Sequence, residues 1–300
     1  MTLDAIPPAE VAIDASVVRR LLQEQHPDLV HLALVDVAEG WDNRLFRSGD
    51  DLAVRLPRRA ASAALIEHEQ RWLPLLAPRL PLPIPVPVRL GQPGCGFPWS
   101  WSVVRWLTGH SAALAPLEDP SATAAVLGRF LGALHQPAPS DAPRNRWRGI
   151  PLAGRAEAMR THLQRVDRFV DRGAVLDLWE RVVSASPWSG PPLWIHGDLH
   201  PGNLLVNGGG LSAVLDFGDL AAGDPATDLS VSWMLLPASA RSSLFSSARG
   251  RFNPIDDDMR TRAPGWALAP GLACLANSLG DEAMHALGQA TIDAALNDNP

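Results

Sequence analysis

The chain has 300 residues, 46% of them hydrophobic, with a formal net charge of −6. That is enough apolar material for one large domain or two lobes, and the acidic balance argues against nucleic acid as a partner. All 26 basic residues are arginine, so no lysine is available as a Schiff base or a phosphate-loop ligand, and no run approaches the ~18 uninterrupted apolar residues of a membrane helix.

The first 16 residues are acidic and lack a basic stretch followed by an apolar run, so no secretory leader is expected. Residues 9–25 read as an amphipathic helix, with Val11, Ala15, Val18 and Leu22 on one side and Pro27 as its stop. Apolar runs over 29–40 and 41–58 follow. The Gly49-Asp50-Asp51 turn between Leu45-Phe46 and Leu52-Val54 marks an antiparallel hairpin within a small sheet. Residues 60–78 read as a helix. The stretch 78–98 carries prolines at 78, 81, 83, 85 and 87, which confine it to an extended or edge segment. A buried strand is expected over 99–107, ended by Thr108-Gly109.

From there the pattern turns helical. Asp119-Pro120 supplies an N-cap and a proline at the first helical position for a helix over 121–135. Residues 137–154 form a Pro- and Arg-rich loop, and helices are expected near 155–170, 174–185, 226–236, 239–249, 263–279 and 281–297. The order is a strand-rich first third, a hinge near 105–109, and a mainly helical remainder that contains one hairpin. Cys95 and Cys274 have neither disulfide-framework nor metal-type spacing and read as unrelated thiols in a reducing cytoplasm.

That hairpin, residues 193–229, concentrates the chemistry. Leu193-Trp194-Ile195 leads into His196-Gly197-Asp198, with Asn203 five residues beyond the aspartate. A turn at Gly208-Gly209-Gly210 then precedes a second apolar strand ending in Asp216-Phe217-Gly218. Phosphoryl transfer needs a carboxylate to hold the attacking hydroxyl, oxygen ligands for a metal that neutralises phosphate, and a cation on the nucleotide. Asp198 and Asn203 on one loop can point a base at the acceptor and an amide oxygen at a metal. Asp216 at a strand end supplies a carboxylate of the kind Mg²⁺ prefers.

Residues 193–229 resemble the signature region of the aminoglycoside phosphotransferase family, in which HGDxxxxN is followed by (I/L)D and a DLA-like segment. The protein-kinase catalytic loop and DFG motif are more distant relatives. The resemblance implies an α+β, bilobal, protein-kinase-like fold. Its parts would be an N-lobe over 1–104 with an antiparallel sheet, a hinge at 105–109, and a helical C-lobe over 110–300, with ATP or GTP bound between the lobes. It implies Asp198 as the catalytic aspartate, Asn203 and Asp216 as Mg²⁺ ligands, His196 as a brace of the loop, and Asp228 as a structural support. His200, inside the loop, would touch substrate or phosphate or brace the loop.

By the same resemblance Arg55 stands on the third strand where the family places a phosphate-binding lysine. A guanidinium keeps the charge but presents it as a broader fork. Its carboxylate partner on the next helix would be Glu69, with Glu67 as second choice; two residues apart, they do not share a helix face. Glu39-Gly40-Trp41-Asp42-Asn43-Arg44 resembles a short nucleotide loop with Asn43 at its polar position. Arg105, Trp106 and Leu107 would meet the adenine edge through backbone groups, with Trp106 itself packing as core.

His135 reads as a partner of its helix's C-terminal dipole. Asp256, Asp257 and Asp258 read as a solvated turn or as part of an acidic rim for a cationic acceptor; Arg262 and Trp266 carry no assigned role. The expected activity is a cytoplasmic, nucleotide- and Mg²⁺-dependent transfer of phosphate to a small-molecule hydroxyl, most readily an antibiotic. The rivals are a kinase of a metabolic alcohol or sugar and a nucleotide-binding regulator without catalysis.

Overall fold

A computed structural model of the chain describes residues 7–278 and 281–298. The start of the N-terminal segment, residues 1–6, and the last residue of the helix expected over 263–279 lie outside the described residues. Two compact units emerge, one running up to Thr108 and including Ala213–Gly218, the other made of Gly109–Ser212 and the residues from Asp219 on. The short return Ala213–Gly218, which carries Asp216, therefore belongs with the N-terminal unit.

In the first unit, helix α1 (Ala15–Gln25) begins later than the hydrophobic pattern predicts. The Asp14 side chain accepts hydrogen bonds from the Ser16 and Val17 amides, so Asp14 is the N-cap and Val11 precedes the helix. Strands β1 (Leu34–Glu39), β2 (Asn43–Ser48) and β3 (Leu52–Pro57) precede helix α2 (Ala60–Leu76), and β4 (Pro87–Gly91) and β5 (Trp101–Arg105) follow it. The sheet order is β1-β2-β3-β5-β4, antiparallel throughout. The proline-punctuated segment thus ends in the edge strand β4, where a missing N–H costs least.

Alternation along β3 sorts its side chains between two faces. Val54 and Leu56 join Val18, Leu21, Leu22, Phe46 and Trp101 in a buried cluster on the α1 side. Each such side chain contributes roughly 1.5–3 kcal/mol by leaving water. Ala53 and Arg55 face the other way, and Arg55 there reaches α2.

The second unit opens with β6 (His110–Ser111) and α3 (Pro120–Leu134), capped by Asp119 as its sequence predicts. Helices α4 (Ala156–Val166) and α5 (Arg172–Ser184) follow, then strands β7 (Leu193–Ile195), β8 (Leu204–Asn207), β9 (Gly210–Val214) and β10 (Ala221–Gly223). β7 pairs with β10, and β6, β8 and β9 form a second small sheet. The expected helix over 226–236 is two short ones, α6 (Ala226–Leu229) and α7 (Val231–Leu235), broken at Ser230.

Helices α8 (Ala238–Ala248), α9 (Asp257–Asn277) and α10 (Glu282–Leu296) complete the unit. α8 packs so closely on α3 that a Cβ on Gly128 would stand 2.4 Å from the Leu244 carbonyl oxygen. From Arg262 onward α9 is mostly buried, and the helix contacts α4, α5, α6 and α10. Among the described residues no helix is long and apolar enough to cross a membrane.

Candidate active site

The loop after β7 owes its shape to a buried anchor beneath it. Asp228 is completely inaccessible to solvent, and its carboxylate accepts from the amides of His196 (2.8 Å) and Gly197 (2.9 Å) and pairs with His135 Nε2 (3.0 Å). The far ring nitrogen of His135 meets Asn253 Nδ2 at 2.7 Å. Asn253 donates there, so the His135 proton sits on Nε2 and points at Asp228. Burial pushes the Asp228 carboxyl up, but His135 and the loop amides outweigh it and hold the group below the ordinary carboxylate range. His135 is therefore a loop anchor and not the helix-dipole partner its sequence position implies.

Gly197 carries a φ of 86°, and a Cβ there would stand 2.4 Å from the Asp219 carbonyl oxygen. Only glycine lets the chain turn between His196 and Asp198 at this approach. His196 is fully buried, and its Nδ1 lies 3.3 Å from the Asp198 amide.

Above this frame the Asp198 side chain is 38% exposed. Its Oδ1 accepts from Arg148 Nη2 at 2.6 Å, and Oδ2 lies 3.7 Å from His200 Nε2. His200 Nδ1 accepts from the Gly202 amide at 3.0 Å, which leaves the ring proton on Nε2, toward Asp198. Asn203 Nδ2 donates to the Asp198 carbonyl (2.9 Å), which ties this side chain to the loop and leaves its amide oxygen out of that bond.

Arg148 escaped the sequence reading. It sits in the loop between α3 and α4, with Nε on Asp219 Oδ2 at 3.2 Å, and Asn145 Nδ2 fixes the other Asp219 oxygen at 2.7 Å. Burial would lower the Arg148 pKa, but Asp198 and Asp219 outweigh it and raise it. The one signal available was composition: an Arg-rich loop with no strand or helix of its own in a chain that uses no lysine.

The residues from the first unit form a second cluster. Arg55 Nη1 donates to Glu69 Oε2 at 2.6 Å, and Nη2 lies 3.8 Å from Asp216 Oδ1. Arg55 and Glu69 are 8% and 1% exposed. Burial works against the guanidinium, yet Glu69 and Asp216 more than compensate and hold its pKa above the ordinary value. Glu67 instead accepts from Ser100 Oγ at 3.1 Å, which settles the choice between the two glutamates. Asp216 adopts a left-handed φ of 55°, a strained conformation for a residue with a Cβ, and its side chain is 55% exposed.

Residues 40–42 form the turn between β1 and β2, and arginines from beyond β3 hold it. Arg58 donates to the Gly40 carbonyl (3.0 Å) and pairs with Glu39, while Asp42 accepts from Arg59 (3.1 Å) and Ser62 (2.6 Å). Asn43 starts β2, and its buried Oδ1 has no hydrogen-bond partner among the described residues.

The expectations for Trp106 and for residues 256–258 need correction. Trp106 is half-buried under Arg47, whose guanidinium lies 5.0 Å from the ring, so it is not packed core. Its amide donates to the Asp51 carbonyl at 2.7 Å and is not free to meet an adenine edge. Arg105 remains in the sheet opposite Leu52, and Leu107 is half-buried. Asp256, Asp257 and Asp258 are the start of α9: Asp256 caps it through the Met259 amide (2.8 Å), and Asp258 accepts from the Ser186 amide (3.1 Å). Negative charge belongs at that end of a helix, where unpaired amides point outward. Arg262 is spent on a buried ion pair with Asp224, 2.9 Å. Cys274 is pushed up to about 11 by burial and by the charges of Asp198 and Asp281, so its thiol stays protonated at neutral pH.

A family model described as the phosphotransferase enzyme family, APH, matches residues 34–264. Among solved structures, the GDP complex of wild-type aminoglycoside 2'-phosphotransferase-IIIa is similar over 95% of this chain and 99% of its own, with TM-score 0.70 and 19% identity. The apoenzyme of macrolide 2'-phosphotransferase MphH from Brachybacterium faecium is similar over 96% and 99%, with TM-score 0.60 and 22% identity. Macrolide 2'-phosphotransferase type I is similar over 95% and 99%, with TM-score 0.57 and 21% identity. No curated protein sequence matches the chain. These likenesses bear out the kinase-like α+β fold that residues 193–229 implied.

Proposed function

Since the chain belongs to the phosphotransferase enzyme family, we propose that it moves the γ-phosphate of ATP or GTP to a hydroxyl of a small molecule, an antibiotic being the foremost candidate. The observation that carries this reading is the state of Asp198, a half-exposed carboxylate with one oxygen tied to Arg148 and its backbone suspended from buried Asp228. The family match supports the reaction. The GDP, ADP and ATP complexes of structural neighbours support a nucleotide co-substrate, and their kanamycin, gentamicin and streptomycin complexes support a hydroxyl acceptor.

On this reading Asp198 Oδ2, the oxygen that Arg148 leaves open, orients the acceptor hydroxyl and receives its proton. The hydroxyl oxygen then bonds to the γ-phosphorus as the bridge to the β-phosphate breaks, leaving nucleoside diphosphate. Arg148 holds the carboxylate in one rotamer and His200 flanks it; both position, and neither reacts. Arg55, braced by Glu69, neutralises nucleotide phosphate, and the turn at 40–43 lies over the nucleotide with Asn43 at its polar position. Backbone groups of Arg105 and Leu107 remain the candidates for the base.

Asp216, through its carboxylate, and Asn203, through its amide oxygen, would be the residues that hold Mg²⁺, both being hard oxygen donors of the type it takes from protein. When bound, Mg²⁺ would offset phosphate charge. The reading is tested by Asp198→Ala, expected to bind nucleotide normally and to lose roughly 10²–10⁴-fold in turnover, and by Asp216→Ala, expected to lose Mg²⁺-dependent nucleotide binding. Full turnover by Asp198→Ala would overturn it.

A further inference from the structure

The loop that carries Arg148 ends in a second buried cation, one that the catalytic loop does not use. Residues 142–156, all in the second unit, contain four arginines and no carboxylate, in a chain whose net charge is −6. Asn145 fixes the shape of this loop, its Oδ1 accepting from the amides of Trp147 (2.8 Å) and Arg148 (3.2 Å). The Gly149 amide ties it down further by donating to Thr227 Oγ1 at 3.1 Å.

Arg155 is 9% exposed. Four other arginines are as deeply buried among the described residues, and each has a carboxylate: Arg55 has Glu69, Arg58 has Glu39, Arg241 has Asp298 and Arg262 has Asp224. Arg155 has no such partner among the described residues. Its Nε is sealed from solvent without a hydrogen bond. Its terminal nitrogens also lack an acceptor there but are not sealed, so a solute can reach them from outside. The carboxylate whose charge acts on Arg155 is Asp219, and its two oxygens are taken by Arg148 and Asn145.

The surroundings work against this cation. Burial, and then the charge of Arg148, push the Arg155 pKa below the ordinary arginine value, the reverse of Arg55. Arg155 also stands immediately before α4, where the helix dipole disfavours a cation and favours an anion. The Trp147 ring, 5.4 Å from the guanidinium, offsets part of the cost, but Arg146 lies against the same ring at 4.8 Å. Buried charges are ordinarily paired, and here the chain supplies no counter-charge of its own.

We infer that Arg155, with Arg146 on the shared Trp147 ring, binds a phosphate-type oxyanion, either free or as the terminal group of a larger molecule. A guanidinium fork matches the spacing of oxygens on such a group and bonds to it with charge assistance. The inference goes beyond the phosphotransfer reading, in which none of these three residues takes part.

The test follows the indole N–H resonance of Trp147 by NMR in the full chain without nucleotide, assigned through Trp147→Phe, at ionic strength held constant with sodium chloride. Inorganic phosphate and glycerol 3-phosphate are the two probes. Both should move the resonance in a saturable way, and Arg155→Met should weaken that binding by about tenfold or more, the scale of one charge-assisted hydrogen bond. Arg146→Gln, at an exposed position, should weaken it as well. Equal affinity for the two probes marks a free anion as the ligand, and tighter binding of the ester marks a group carried on a larger molecule. Melting curves supply a second readout. In buffer free of oxyanions Arg155→Met should melt above the wild type, because methionine keeps the stem and removes the unpaired charge, and added phosphate should raise the wild type alone. An indole resonance indifferent to both probes at tens of millimolar would overturn the inference. So would an Arg155→Met protein that melts below the wild type and responds to phosphate as the wild type does, since Arg155 would then be structural.

Discussion

Two clusters of charge, one in each unit, are built on opposite plans. At Asp198 the side chain is half-exposed, and rigidity comes from below, through Asp228 hydrogen-bonded to two loop amides and to His135. At Arg55 the side chain itself is buried, locked to a buried Glu69. The first plan separates the outer side chain from its support, so the proposed catalytic carboxylate is replaceable without unfolding the loop. The second merges them, because either member removed leaves its partner charged and out of water.

The comparison predicts a ranking of substitutions. The largest loss of stability belongs to Asp228→Ala, about 3–5 kcal/mol, because it leaves two loop amides and the His135 N–H as buried donors without an acceptor, read as a fall in urea midpoint at neutral pH. Its pH signature is equally specific. The Asp228 pKa is depressed in the fold, so the stabilisation is complete above the unfolded carboxyl value of about 4 and drains away as pH falls toward the lower folded value. Melting temperatures from pH 6 down to pH 2 should therefore fall more steeply for the wild type than for Asp228→Asn. A parallel pair of curves would remove Asp228 as the acid-sensitive anchor.

Glu69→Ala comes next. It should cost about 3 kcal/mol and also weaken nucleotide binding, since Arg55 loses the group that aims it. Binding that survives intact in a folded Glu69→Ala protein would separate Arg55 from the nucleotide.

Arg148→Gln should lower turnover by roughly tenfold to a hundredfold, the scale on which misplaced catalytic groups act, with KM for nucleotide little changed. Its stability cost should stay near or below about 1 kcal/mol, because the group is partly exposed. Arg148→Lys should recover part of the rate, while equal losses for both would fit packing and not orientation of Asp198. The smallest stability effect is reserved for Asp198→Asn, within about 0.5 kcal/mol of the parent, even as its turnover collapses. A strongly destabilised Asp198→Asn would erase the contrast between the two plans.

What was legible beforehand follows the range of the forces involved. The strand–loop–strand pattern of 193–218 is local, and so are the Asp119-Pro120 start of α3 and the confinement of the proline-punctuated stretch to an edge. The resemblance placed Glu69 ahead of Glu67, helix geometry allowed only one of them to share the Arg55 face, and the bonds made by each agree. The late start of α1 and the early start of α9 were misjudged because hydrophobic periodicity is insensitive to caps, which act over three residues.

The sequence alone determined that the chain has a phosphotransferase-like hairpin, an antiparallel sheet and a helical remainder, because periodicity and short motif spacing are written along the chain. Only the tertiary structure decided that His135 and Asn253 buttress Asp228 and that Arg148 grips Asp198. Those partners lie 50 to 118 residues apart in the chain. Nothing in the local pattern specifies which distant side chain will satisfy a buried charge. Folding selects it through the cost of leaving that charge unpaired.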